Sequence, residues 1–173
     1  MRTNSLKHNR GFTLIEMLVY IAIFTVLSIL AIQAMSLVTR AFTDLRISRD
    51  LNSSGTALFE RMSRDIRGAY DIDETQSTLG SSPGRLTLNT KDTLGANTTV
   101  EFYVEDGVVK IKEGGVEQGV IMTTSTSIDN FMIRQISGTN TDAVKVEATI
   151  TASRGGITKT RNFYTTAILR GTY

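Results

Sequence analysis

The stretch RGFTLIEMLVYIAIFTVLSILAI, from Arg10 to Ile32, places one acid, Glu16, in an apolar run of membrane length. From Phe12 to Ile32 Glu16 is the only charged side chain, and the first basic residue after Arg10 is Arg40. A charged side chain at a bilayer centre costs roughly 2.5–3.5 kcal/mol on insertion scales, less near an end, and normally has a partner. Chemistry suggests one. If the chain is cut between Gly11 and Phe12, Phe12 gains a free α-amine that is cationic at neutral pH. Glu16 lies one helical turn further on, where its carboxylate can neutralise the amine of its own chain or of a neighbour. In a first turn it also complements the positive helix N-terminus. Removal of the preceding residues turns an anchored monomer into a helix able to pack beside copies of itself.

Other chemistries are poorly supplied. The 173 residues include no cysteine, so disulfide scaffolds and thiol catalysis are excluded. The single histidine, His8, lies in the N-terminal tail, so no Ser-His-Asp triad or histidine-based zinc site can be built beyond it. No phosphate loop, dinucleotide fingerprint, internal repeat or metal-ligand spacing is present, and neither a cofactor nor a small-molecule substrate is expected. The formal charge of +2 and a pI near 9.0 do not mark a nucleic-acid face. Residues 1–11 hold Arg2, Lys7 and Arg10 and no acid, which leaves 16 basic residues against 17 acidic ones, about −1, for the rest.

The elements that must position Glu16 follow from periodicity. Twenty or so apolar residues at ~1.5 Å rise cross a ~30 Å hydrocarbon core, and residues 12–39 are long enough to pass through it. The basic tail puts the N-terminus in the cytoplasm and the bulk of the chain on the far side. A secretory signal peptide fits less well. Its apolar region is shorter, and cleavage after Ala34 would place Ile32 at the −3 position, where a small residue is needed. A plain membrane anchor accounts for the length but gives Glu16 nothing to do.

Arg10-Gly11-Phe12-Thr13-Leu14-Ile15-Glu16, behind a short basic leader and ahead of a long apolar helix, resembles the prepilin signature of type IV pilins and type II secretion pseudopilins. The resemblance implies a membrane-embedded prepilin peptidase that cuts between Gly11 and Phe12 and N-methylates Phe12. It implies that Glu16 aligns neighbouring subunits during filament assembly, and that other pilin or pseudopilin subunits are the partners. The stretch LFERMSRDIRGAY, residues 58–70, resembles the end of the long helix in J-type minor pseudopilins and minor pilins. The absence of cysteine departs from many major type IV pilins, whose C-terminal loop is closed by a disulfide.

Residues 39–70 read as an amphipathic continuation of the helix, with Phe42, Leu45, Leu58, Phe59, Met62, Ile66 and Tyr70 on the apolar side. Arg61 with Asp65 and Glu60 with Arg64 form i,i+4 pairs on the wet side. Asn52-Ser53-Ser54-Gly55 is a weak point where a bend or break is expected, because glycine costs about 1 kcal/mol in a helix interior. Residues 70–85 read as a loop, and its acids Asp71, Asp73 and Glu74 as solvated rather than calcium-binding. Beyond residue 85 the period becomes two. RLTLNT is a strand, residues 98–114 a hairpin turning at Asp106-Gly107, SIDNFMIRQI a strand, and residues 142–170 a long hairpin turning at Gly155-Gly156. In the pairs Phe102-Tyr103 and Phe163-Tyr164, one aromatic of each is expected in the core and the other outside.

The expected architecture is α+β and pilin-like, one long N-terminal helix packed on an antiparallel sheet. Its parts are a basic leader over 1–11, a transmembrane half-helix over 12–38, an amphipathic half over 39–70, and a loop with the β-domain over 71–173. The expected role is structural rather than enzymatic. It is the precursor of a pilin-like filament subunit, minor rather than major, for a type IV pilus or a secretion or DNA-uptake pseudopilus. It starts as a single-pass protein of the cytoplasmic membrane, N-terminus inside and C-terminal domain periplasmic or extracellular. The alternative is an anchored binding module, adhesin-like or DNA-binding, in which Arg154, Lys159 and Arg161 form a local basic patch.

Overall fold

The computed structural model describes residues 11–138 and 142–169. Residues 1–10 of the expected leader, with Arg2, Lys7, His8 and Arg10, lie outside the described residues. The chain divides into two compact units, Met1–Phe42 and Thr43–Tyr173.

One helix, α1 (Leu14–Gly68), supplies all the helical residues described. Its residues as far as Val38 are almost all exposed, including Leu18, Ile21, Leu27 and Leu37. From Thr43 onward a different pattern begins. Ile47, Leu51, Ser54, Gly55, Leu58, Phe59, Met62 and Ile66 are buried, spaced by three and four along one stripe. The stripe therefore starts at Ile47 and Leu51. Phe42, Leu45 and Tyr70, which the sequence suggested for it, are exposed. Leu45 stands only two residues, or about 200°, from Ile47 on the helical wheel, so it faces away.

The helix runs unbroken through the expected weak point at 52–55. Ser54 is buried, and its hydroxyl lies 3.0 Å from the Thr123 hydroxyl and 3.2 Å from that of Thr126, while the Thr123 amide donates to it at 3.1 Å. Gly55 faces the Phe163 ring so closely that a Cβ there would lie 2.4 Å from it. The glycine is a packing device, and tertiary contacts offset its poor helix propensity.

The strands form two antiparallel sheets. The first has the order β1 (Asp71–Ile72), β2 (Leu86–Lys91), β3 (Asn97–Glu105), β4 (Val108–Glu113), β5 (Val116–Val120). The second has the order β6 (Thr126–Ser137), β7 (Asp142–Arg154), β8 (Ile157–Ile168). The α+β layout is thus as the sequence suggested, with the strands shared between two sheets. Both tight hairpins turn where expected. Asp106 and Gly107 have φ of 53° and 72°, and Gly155 and Gly156 have 58° and 78°, values that favour glycine. Two strands lie outside the expected ones. β1 falls in the expected loop over 70–85 and has two residues. β5, VEQGV, has poor strand propensity and forms by pairing its backbone with β4.

The inner faces of both sheets and the buried stripe of α1 make one core. Phe102, Phe131, Leu58, Met62, Ile66, Leu86, Leu88, Ile133 and Ile150 are among its fully buried large side chains. Segment 80–84 lies against β6 and joins it to the rest, as Gly80 and Gly84 donate to the carbonyls of Ile133 and Phe131, both at 2.7 Å. The Ile128 amide reaches the Gly107 carbonyl, also at 2.7 Å, and links β6 to the β3–β4 turn.

Candidate functional site

The residues singled out by the sequence lie at the start of α1. Gly11, Phe12 and Thr13 are non-helical and exposed, and the helix begins at Leu14. Thr13 is its N-cap. The Thr13 carbonyl accepts from the Met17 amide at 3.2 Å, and its hydroxyl accepts from the Glu16 amide at 3.3 Å. The carbonyl bond is the first of the helical ladder, and the hydroxyl satisfies one of the four otherwise orphaned amides of the helix N-terminus. Thr13-Leu14-Ile15-Glu16 has the T-x-x-E spacing of a capping box, a signal that was open to a sequence reading and was not used.

Glu16 is partly buried and sits in the first turn. Its carboxylate does not complete the capping box. Instead Oε1 accepts a hydrogen bond from the Tyr20 hydroxyl at 3.1 Å. The Tyr20 ring meets the Phe12 ring edge-on, with centroids 6.2 Å apart and planes at 73°. Phe12, Glu16 and Tyr20 therefore form one connected group at spacings of four. Tyr20 is the member that sequence reasoning missed, and the i,i+4 relation to Glu16 was the available signal.

The remainder of the first unit suits an apolar solvent. Between Glu16 and Arg40 no charged residue occurs, and that stretch rises about 35 Å at ~1.5 Å per residue. It is long and apolar enough to cross a membrane. Three of its hydroxyls turn inward on the helix. Thr25, Ser28 and Thr39 donate to the carbonyls of Ile21, Phe24 and Met35 at 2.8, 2.8 and 2.9 Å. A donor satisfied by its own helix carries little penalty in lipid.

The other candidates take structural roles in the second unit. The basic trio on the β7–β8 hairpin turns to acids and amides of α1. Lys159 Nζ is 2.7 Å from Asp44 and 3.0 Å from the Ser48 hydroxyl, Arg154 is 3.9 Å from Asp50, and Arg161 bonds Asn52. A patch spent on such pairs offers little field to a polyanion. Of the i,i+4 pairs expected on the wet side, Arg61–Asp65 forms at 2.6 Å, and Arg61 also bonds Glu113 on β4. Arg64 approaches Asp65 at 3.8 Å rather than Glu60. Asp73 accepts from the hydroxyl and amide of Thr75 and the amide of Gln76, and the Thr75 hydroxyl above all holds its carboxyl below the usual range. Asp71 lies beside the Asn89 amide. Among the described residues no three His, Cys, Asp or Glu side chains are grouped to hold a metal.

The aromatic pairs divide unevenly. Phe163 stacks on Phe59 with centroids 6.0 Å apart, and Tyr164 is 78% exposed. Phe102 is core, yet its neighbour Tyr103 is buried too, a correction to the expected alternation. Lys112 lies 4.4 Å from the Tyr103 ring centroid and Arg85 5.6 Å, so cations cover the outward ring. An open groove of about 1040 Å³ runs between α1 and β8, lined by Phe59, Arg64, Arg67, Phe163 and Ile168 among others.

A family model described as the prokaryotic N-terminal methylation motif matches residues 6–32. No curated protein matches the chain. No solved structure matches it. The motif and the apolar helix together support a type IV pilin-like prepilin, a membrane-anchored precursor processed by a prepilin peptidase and assembled with other pilins.

Proposed function

We propose that the chain is the precursor of a minor pilin or pseudopilin. Prepilin peptidase cuts it between Gly11 and Phe12 and N-methylates Phe12, and its N-terminal helix then carries it into a type IV pilus or a secretion or DNA-uptake pseudopilus. Before cleavage it crosses the cytoplasmic membrane once, with its N-terminus in the cytoplasm and residues 71–173 outside. Glu16 pairs with the α-amine of Phe12 on a neighbouring subunit. The role is structural rather than enzymatic.

One observation carries the reading. The methylation motif at 6–32 coincides with an exposed, non-helical Gly11-Phe12 bond directly ahead of a helix whose first turn holds the one acid before Asp44. An exposed bond outside a helix is open to a peptidase, whereas a helical one must first unwind. The minor assignment is supported by the resemblance of residues 58–70 and by the absence of cysteine.

The test is co-expression of the chain with a prepilin peptidase, followed by intact mass and the N-terminal peptide, beside a Gly11→Ala control. The expected product begins at Phe12 and carries one extra methyl, while the control stays full length. An uncut wild-type chain, or a cut near Ala34, would remove the precursor reading and the filament role with it.

A further inference from the structure

We infer that Tyr20 is a positioning residue for subunit docking, holding the Glu16 carboxylate and the Phe12 ring in place before a neighbour arrives. The inference rests on the filament-subunit reading above and deepens it by naming a residue that prepares the docking group.

The geometry is the Phe12–Glu16–Tyr20 group. Among the described residues, Tyr20 is the only side chain that donates a hydrogen bond to the Glu16 carboxylate, at 3.1 Å. The same ring takes the edge of Phe12 at 6.2 Å. Phe12 lies outside the helix and is largely exposed, and the Tyr20 ring is the aromatic partner it meets. One residue thus touches both groups that docking needs, the acid and the residue that carries the amine after cleavage.

The consequence is pre-organisation. A free glutamate side chain loses rotamer freedom when a partner binds it, and rigidity established beforehand lowers that loss. A carboxylate has room for about four hydrogen bonds, so the Tyr20 bond takes one site on Oε1 and leaves Oε2 open to an incoming ammonium. In lipid the tyrosine also supplies a donor to an acid that has no water to solvate it. A tyrosine that merely anchored the helix at the membrane surface would act independently of Glu16. That independence separates the two roles.

The experiment uses the full chain processed by co-expressed prepilin peptidase and reconstituted in phospholipid vesicles. The natural sequence has no cysteine, so Leu94→Cys, at a 91% exposed position in the β2–β3 turn, labels every variant at one site. Energy transfer between donor- and acceptor-labelled copies reads association. Tyr20→Phe keeps the ring and removes the hydroxyl, and is expected to weaken association roughly tenfold, the scale of one ordered side chain. Tyr20→Leu removes both contacts and is expected to weaken it further. Cleavage after Gly11 stays complete in both. In a Glu16→Gln background, Tyr20→Phe is expected to add much less than it costs alone. Association of Tyr20→Phe equal to that of the wild type, or an equal loss in the Glu16→Gln background, overturns the role of Tyr20. A wild-type chain that is not cut after Gly11 overturns the filament reading itself, and this inference with it.

Discussion

The two halves of α1 have the same backbone and solve opposite problems. Residues 14–38 carry apolar side chains around the whole circumference and expose nearly all of them, whereas residues 43–68 carry one apolar stripe and bury it. The first half has no partner surface of its own among the described residues. The inward hydroxyls of Thr25 and Ser28 and the lack of charge between Glu16 and Arg40 suit lipid or the helices of other subunits. The second half finds its partner within the chain, in two antiparallel sheets. The contrast shows that a helix is defined by its backbone, but its environment is chosen by how its apolar residues are distributed.

The most direct way to break this comparison is to make the same substitution on both sides. Leu58 is fully buried, and Leu58→Ala is expected to cost about 2–5 kcal/mol of stability. Leu27 is 59% exposed, and Leu27→Ala is expected to leave the unfolding of the second unit unchanged. Urea unfolding of the full chain in mild detergent, followed by circular dichroism, checks both. Equal losses would mean that the two halves do not differ as described.

A second substitution sharpens the account of Gly55. A branched side chain there collides with the Phe163 ring, which is itself stacked on Phe59. Gly55→Val is expected to destabilise by about 1–3 kcal/mol despite valine's better helix propensity, and Phe163→Leu is expected to recover part of that loss. A Gly55→Val chain that unfolds at a higher urea midpoint than the wild type would show that backbone entropy outweighs the contact. The Lys159–Asp44 pair is a smaller lever. Both partners are well exposed, so Lys159→Met is expected to cost less than about 1 kcal/mol by the same midpoint measurement, and less still in high salt.

The smallest effect is a pH dependence confined to the second unit. The Lys110 ammonium holds the Glu105 carboxyl below the usual range, Lys145 does the same for Glu147, and the Thr75 hydroxyl for Asp73. Carboxyls depressed in the folded state contribute stability that is present above their unfolded values, near pH 4, and is lost as pH falls through the folded ones. Lys110 is raised, chiefly by its bond to Glu105, so its contribution is present below its ordinary value and is lost at strongly alkaline pH. Thermal melts are therefore expected to be flat from about pH 5 to 9, with a shallow fall below pH 4. A rise in melting temperature on acidification through that range would contradict the assigned shifts.

Much of the fold was legible because its signals are local. Asp106-Gly107 and Gly155-Gly156 dictate tight turns through their backbone preferences, and the alternation of Val144, Val146, Ala148 and Ile150 marks a half-buried strand. β5 escaped because edge pairing needs only a backbone and a neighbour. The helix through 52–55 escaped because its support comes from Thr123 and Thr126, about seventy residues away. At the N-terminal site, Gly11, Phe12 and Glu16 stood out by type and spacing. Tyr20 did not, because a tyrosine in an apolar run reads as bulk until its hydroxyl is placed beside an acid.

By itself the sequence determined the apolar first half-helix, its lone acid, the methylation motif and the α+β class, since each depends on residue type at short spacing. Only the tertiary structure decided that the strands form two sheets, that Gly55 is a seat for Phe163, and that the basic trio turns to α1. Those outcomes depend on which distant or differently oriented groups meet, and that is fixed by packing rather than by local preference.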